Sequence, residues 1–236
     1  MGTHILPNFE ESLNDLRSAV LTMASVAQHN LEHAVQGLLQ REGSLCNETI
    51  AEDDDVDESE KNIDALGLQV ILRFSPVAHD LRQVLSAMKI ATNLERVSDQ
   101  AVNIARRSRK ILKGPELPET REIEPIYDLA IGELRDSVKA FADGDMELAL
   151  TIMTRDKELD AKHKALSKSL VKSMEQQPDQ LKPLLNLVFI TRCLERIGDH
   201  AVNIAEDTIF MESAQDIRRS KLGPCSPRPD QEYGRA

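Results

Sequence analysis

Apolar residues recur along this chain at intervals of three and four, the repeat of an α-helix, through almost all of its 236 residues. Phe9, Leu13, Leu16, Val20, Met23, Ala27, Leu31, Ala34 and Leu38 predict a first helix of many turns, which Gly43 interrupts. A second helix is predicted over residues 45–74. Ser75-Pro76 closes it, because the residue before a proline avoids the helical region. A third follows over residues 77–112. No segment shows the strict alternation of a strand.

The stretch Lys113-Gly114-Pro115-Glu116-Leu117-Pro118 stops helix propagation with two prolines and a glycine. The helical pattern then starts again. Ile126, Leu129, Ala130, Leu134, Val138 and Phe141 mark a fourth helix, ending near Asp143-Gly144-Asp145. A fifth is predicted over residues 146–174, and Gln177-Pro178 separates it from a sixth that runs to residue 214. The expected fold is all-α: six long helices in two pseudo-symmetric three-helix bundles. The first bundle would occupy residues 1–112, the linker 113–120 and the second bundle 121–214. Residues 215–236, with Gly223, Pro224, Pro227 and Pro229 and little to bury, are expected to be a disordered tail.

An internal repeat supports the division into halves. Leu94-Glu95-Arg96-Val97-Ser98-Asp99-Gln100-Ala101-Val102-Asn103-Ile104-Ala105 returns as Leu194-Glu195-Arg196-Ile197-Gly198-Asp199-His200-Ala201-Val202-Asn203-Ile204-Ala205. Nine of the twelve positions are identical, and repeats of this kind set an architecture before any local feature does. The second helices repeat as well: Asp53, Asp57 and Glu60 match Asp156, Asp160 and His163, each displaced by 103 positions.

Composition narrows the partners. A net charge of −11 argues against nucleic acid, which needs clustered Lys and Arg, and suits cations or basic partners. Aromatic residues make up only 3% of the chain, as helix-on-helix cores of aliphatic residues allow. Cys46, Cys193 and Cys225 form no CxxC pair, which fits a reducing compartment. With neither a secretory leader nor an apolar run of membrane-spanning length, a cytoplasmic protein is expected.

The repeated acids carry the candidate chemistry. On one helix, Glu95, Asp99 and Asn103 share a narrow sector at the edge of the packed face, with Arg96 and Arg107 to one side. Carboxylates at i and i+4 repel, and a bound cation would reverse that penalty. Asp, Glu and Asn oxygens suit iron, manganese, magnesium or calcium, while His163 adds a nitrogen for zinc or iron. The plainer alternative is a solvated face neutralised by arginine. Arg106 shares the sector of the first stripe, but Glu206 holds that place in the second and adds an acid. Two matching sets of stripes favour metal. His29 and His33, the run Glu52 to Asp55, and Cys193 are better read as surface, solvated and packing residues. No phosphate loop or nucleophile–base pair is present.

At these residues the chain resembles the PhoU family of phosphate-signalling regulators. The doubled motif, Leu94 to Asn103 and Leu194 to Asn203, carries the resemblance. Ser75-Pro76-Val77-Ala78-His79-Asp80-Leu81-Arg82, His4 and Phe9-Leu13-Leu16-Arg17 support it. The resemblance covers residues 4–213 and implies two three-helix bundles, usually as a homodimer. It further implies a cytoplasmic adaptor between the ATPase subunit of the high-affinity phosphate transporter and a sensor histidine kinase. Such an adaptor represses phosphate-starvation genes and reaches the membrane through its partners only.

Metal clusters, iron foremost, with zinc, manganese and magnesium as alternatives, would bind through Glu95, Asp99, Glu195 and Asp199. Asp53, Asp57, Asp156 and Asp160 are added from the second helices, with Asn103, Asn203, His163 and Glu60 as further ligands. Ser98 departs from the motif's usual glycine. Two other classes remain open: a purely structural helical adaptor, and a carboxylate di-iron enzyme. Di-iron sites recruit Glu-x-x-His, and Ser98 and Gly198 stand where that histidine would be.

Overall fold

The computed structural model describes residues 5–217, so residues 218–236 of the expected tail, with Cys225, and His4 lie outside the described residues. Among the described residues stand six helices of 20 to 35 residues and one short helix: α1 (Ile5–Leu39), α2 (Gly43–Ala51), α3 (Asp53–Phe74), α4 (Ala78–Ile111), α5 (Glu124–Asp143), α6 (Met146–Gln176) and α7 (Leu181–Ser213). Short 3-10 turns precede α5 (Pro118–Ile123) and α7 (Pro178–Gln180). The described residues contain no strand.

The predicted punctuation holds at most boundaries. Gly144 sits at φ 66°, the left-handed conformation that glycine adopts without a Cβ penalty, and ends α5. Asp145 then caps α6, its side chain accepting a hydrogen bond from the Leu148 amide at 2.9 Å. One boundary differs. The second helix, expected without a break over residues 45–74, divides at Glu52 into α2 and α3. The break places Asp53, Asp54 and Asp55 in the first turn of α3, where the positive end of the helix dipole stabilises carboxylates.

The linker is tied down rather than loose. Leu117 and Ile123 are buried in the core, and the Arg41 guanidinium donates to the carbonyls of Leu112 (3.2 Å) and Gly114 (2.7 Å), spare acceptors beyond the end of α4.

The two motif helices, α4 and α7, pack against each other antiparallel. Arg82 donates to the Met211 carbonyl (2.9 Å), Ser86 to that of Asp207 (3.1 Å), and Asn203 to Asn93 Oδ1 (3.2 Å). At the other end, Arg107 reaches Asn186 and lies 3.9 Å over the Phe189 ring, where a cation–π contact is favourable. These pairings centre the crossing on Val97 and Ile197, equivalent positions of the repeat, as a pseudo-twofold axis requires. One contiguous core includes Leu16, Leu31, Ile90, Leu94 and Val97 from the first half and Ile126, Leu134, Leu187, Leu194 and Ile197 from the second.

Candidate functional site

Each half builds its acidic array from neighbouring antiparallel helices. In the first, α3 supplies Asp53, Asp57 and Glu60, and α4 supplies Glu95, Asp99 and Asn103. The antiparallel packing brings Asp53 towards Asp99, and Asp57 and Glu60 towards Glu95. Their mutual fields bear on the acidities. Desolvation first and the Asp99 charge second raise Asp53 above the usual carboxylate range, and Arg106 opposes them. Glu95 is raised by desolvation and then by Asp99, with Glu60 and Asp57 adding to the effect.

Two arginines already lean on this array. Arg106 approaches Asp53 at 3.6 Å, bridging the two helices. Arg96, expected to one side of the stripe, folds back over it, 3.1 Å from Glu95 Oε2 and 3.6 Å from Asp99 Oδ2. The Glu95 contact is an ion pair without hydrogen-bond geometry, and that buried oxygen has no hydrogen-bond partner. Asn103 is partly buried one turn along α4.

In the second half α6 carries Asp156, Asp160 and His163, all partly buried, and α7 carries Glu195, Asp199 and Asn203. Asp160 pairs with Lys164 one turn on, at 3.4 Å. Asn203 turns to α4 instead and shares Asn93 Oδ1 with His200, whose Nδ1 lies 3.0 Å away. Burial, then Arg96 and Arg196, lower the His200 pKa and keep the ring neutral near pH 7. A cleft of about 510 Å³ at the helix crossing joins the two arrays, with Asp99, Asp156 and Asp199 in its wall beside Arg96, Arg196 and His200.

Sequence reasoning missed one residue of this site, Glu133 on α5. It is 1% exposed, and neither carboxyl oxygen has a hydrogen-bond partner. Burial, and next the Asp156 charge, push its pKa up to about 8. Arg155 opposes the shift from a distance, while its guanidinium pairs with Asp136. The signal was an acid at a position of the apolar stripe between Ala130 and Ser137, both buried.

Gly198 explains how the carboxyl fits. A Cβ there would stand 3.2 Å from Glu133 Oε2, 3.2 Å from Asp156 Oδ1 and 2.9 Å from Leu159 Cδ1. Glycine serves this helix by close approach, not by backbone freedom.

Other candidates resolve as packing or surface contacts. His33 pairs with Glu48 at 3.3 Å and lies tilted against the His29 ring. Cys46 and Cys193 are buried, and desolvation raises both thiols, which leaves them poor nucleophiles. Among the described residues, no group of three or more His, Cys, Asp and Glu side chains is already arranged to hold an ion. A shared ion would require side-chain rotation, with Arg96 drawn away.

The family model described as the PhoU domain matches this chain twice, over residues 20–108 and 123–208. A phosphate-specific transport system accessory protein PhoU homolog from Pseudomonas putida is 33% identical over 220 residues, covering 93% of this chain and 86% of that protein. A Caulobacter vibrioides homolog of the same description is 31% identical, over 96% of this chain and all of its own length. The crystal structure of PhoU from Pseudomonas aeruginosa superposes with a TM-score of 0.85 at 33% identity. It covers 88% of this chain and 100% of that one.

Proposed function

The chain belongs to the PhoU family, accessory proteins of the phosphate-specific transport system, and we propose that it is a non-enzymatic negative regulator of the phosphate-starvation response. In this reading it links the ATPase subunit of the high-affinity phosphate transporter to a sensor histidine kinase. It acts in the cytoplasm as a homodimer and meets the membrane through those partners. No helix among the described residues is long and apolar enough to cross a membrane. The observation that carries the reading is the doubled family match, each copy ending in a helix with the Glu-x-x-x-Asp acids on its outer edge.

Cation binding at the two arrays is part of the same proposal. Burial first, and the neighbouring acids after it, raise the pKa values of Glu95 and Asp53, so negative charge in the array is incompletely compensated. A hard cation such as iron, manganese or magnesium supplies compensation that oxygen donors match. Glu95, Asp99, Asp53 and Asp57, with Glu60 and Asn103, would serve one half; Glu195, Asp199, Asp156 and Asp160, with His163 and Asn203, the other. Zinc is the alternative where His163 takes part.

The deciding experiment is a phosphate-starvation reporter in a strain lacking this gene, grown in ample phosphate. Derepression in that strain, reversed by the wild-type gene, is expected. A reporter that stays repressed in the deletion strain would overturn the reading. Complementation by Asp99→Asn/Asp199→Asn tests whether the acidic arrays take part.

One observation favours a second reading, a helical adaptor whose acids need no metal: Arg96, Arg106 and Lys164 already neutralise part of each array. Metals that bind only the folded state add stability by mass action. A melting temperature indifferent to added Mn²⁺ and to chelator would select that reading.

A further inference from the structure

The two halves are superimposable in pattern, but one pair of positions breaks the symmetry. The offset of 103 that relates Asp53 to Asp156 also relates Asn30 on α1 to Glu133 on α5. Both are buried, between equivalent alanines and leucines: Ala27 and Leu31 in the first half, Ala130 and Leu134 in the second. Facing them on the motif helices stand Ser98 and Gly198. In the first half the pair is neutral, and Asn30 Nδ2 reaches Ser98 Oγ at 3.5 Å. In the second, the serine side chain is absent and a carboxylate fills the space.

A buried acid without a hydrogen bond or an ion pair carries a desolvation cost that packing alone does not repay. An amide or an apolar side chain would occupy the same volume more cheaply, as Asn30 does. What Glu133 gains from its place is a neighbour. Its Oε2 and Asp156 Oδ1, from different helices, each come within 3.2 Å of the space a Cβ at Gly198 would take, and the Asp156 charge is felt at Glu133. Two carboxylates brought this near repel as anions and attract a shared cation between them. Arg155, the nearby base on α6, is engaged with Asp136 and does not fill the role.

We infer that Glu133 is an inward ligand of the second half's cation, supplied by α5 and shared with Asp156, and that the first half, with Asn30 there, lacks a counterpart. This rests on the cation-binding part of the proposed function. The second half therefore offers three helices to its ion, and the first half two. With Glu133 each half offers five carboxylates, but Arg106 leans on the first array where Glu206 stands in the second, and less opposing positive charge makes the second half the tighter site.

The test is calorimetric titration of the metal-free full-length protein with Mn²⁺, a hard divalent ion that needs no exclusion of oxygen. Two classes of binding are expected. Glu133→Gln, nearly the same shape, should weaken the tighter class by about tenfold or more, the scale of a lost supporting group at a metal site. Asp53→Asn/Asp57→Asn should instead abolish the weaker class and spare the tighter. The exchange Asn30→Glu/Ser98→Gly should tighten the first half's site, a gain that misfolding does not produce.

Mn²⁺ binding unchanged by Glu133→Gln but lost in Asp156→Asn/Asp160→Asn would overturn the role of Glu133 and leave cation binding standing. Two equal classes in the wild-type protein would overturn the asymmetry. No Mn²⁺ binding by the wild-type protein would remove the cation reading itself and this assignment with it.

Discussion

A glutamate protonated at neutral pH makes the metal-free fold sensitive to pH in a defined direction. Glu133 has its pKa raised from 4.5 to about 8, so through that window the folded chain holds a proton that the unfolded chain has released. The unfolded state binds fewer protons, and stability must fall as pH rises from about 4.5 to about 8. At about 1.4 kcal/mol per pH unit the loss reaches a few kcal/mol. Urea unfolding in chelator should therefore show the wild-type protein weaker at pH 8 than at pH 5.5. Glu133→Gln, which cannot ionise, should flatten that difference and be the more stable protein at pH 8. Equal pH slopes for the two would show that Glu133 is ionised in the fold. Its neighbour gives a second test. Gly198→Ala gains about 1 kcal/mol of helix propensity but sets a methyl group 2.9 Å from Leu159, fully buried. Overpacking of a closed core costs about 1–3 kcal/mol and should win, lowering the melting temperature. A rise would mean that Leu159 yields freely.

At the scale of elements, the chain marks its boundaries with residues of known conformational cost, and those marks were legible. Gly144 and Asp145 end one helix and cap the next, and Asp145→Ala should cost about 1 kcal/mol in urea unfolding through loss of the bond from the Leu148 amide. A variant as stable as wild type would show that water replaces the cap without penalty. The break at Glu52 was illegible because no glycine or proline stands there; the three acids that follow suit the first turn of a helix, but they read equally well as a solvated run. Asp53, Asp57, Asp156 and Asp160 were legible as stripes because spacing fixes the face of a helix. Glu133 was not. Periodicity reports which side of α5 is inward, but an acid on that side acquires meaning only from Gly198 and Asp156, brought to it by two other helices.

For the whole molecule, the repeat foretold two equivalent bundles but not how they are joined. Their motif helices cross antiparallel at Val97 and Ile197, and Leu94, Val97 and Ile104 of one share a cluster with Leu194, Ile197 and Ile204 of the other. Leu94 and Leu194, both fully buried, lie at equivalent places in it. Truncating either to alanine removes apolar contact and leaves a cavity, at about 2–5 kcal/mol. What distinguishes one molecule from two tethered bundles is how that loss spreads. If the halves unfold independently, Leu94→Ala splits the melt, with the first half unfolding early and the second where it always did. With a shared core, exposing one half strips the other of its partner surface along α4 and α7. We therefore expect Leu94→Ala and Leu194→Ala each to lower a single calorimetric transition, by similar amounts and without a second peak. A biphasic melt in either variant would show that the crossing contributes too little to couple the halves. Such coupling also gives the proposed cation binding a reach beyond its own half: an ion bound in either acidic array would raise the single transition of the whole molecule.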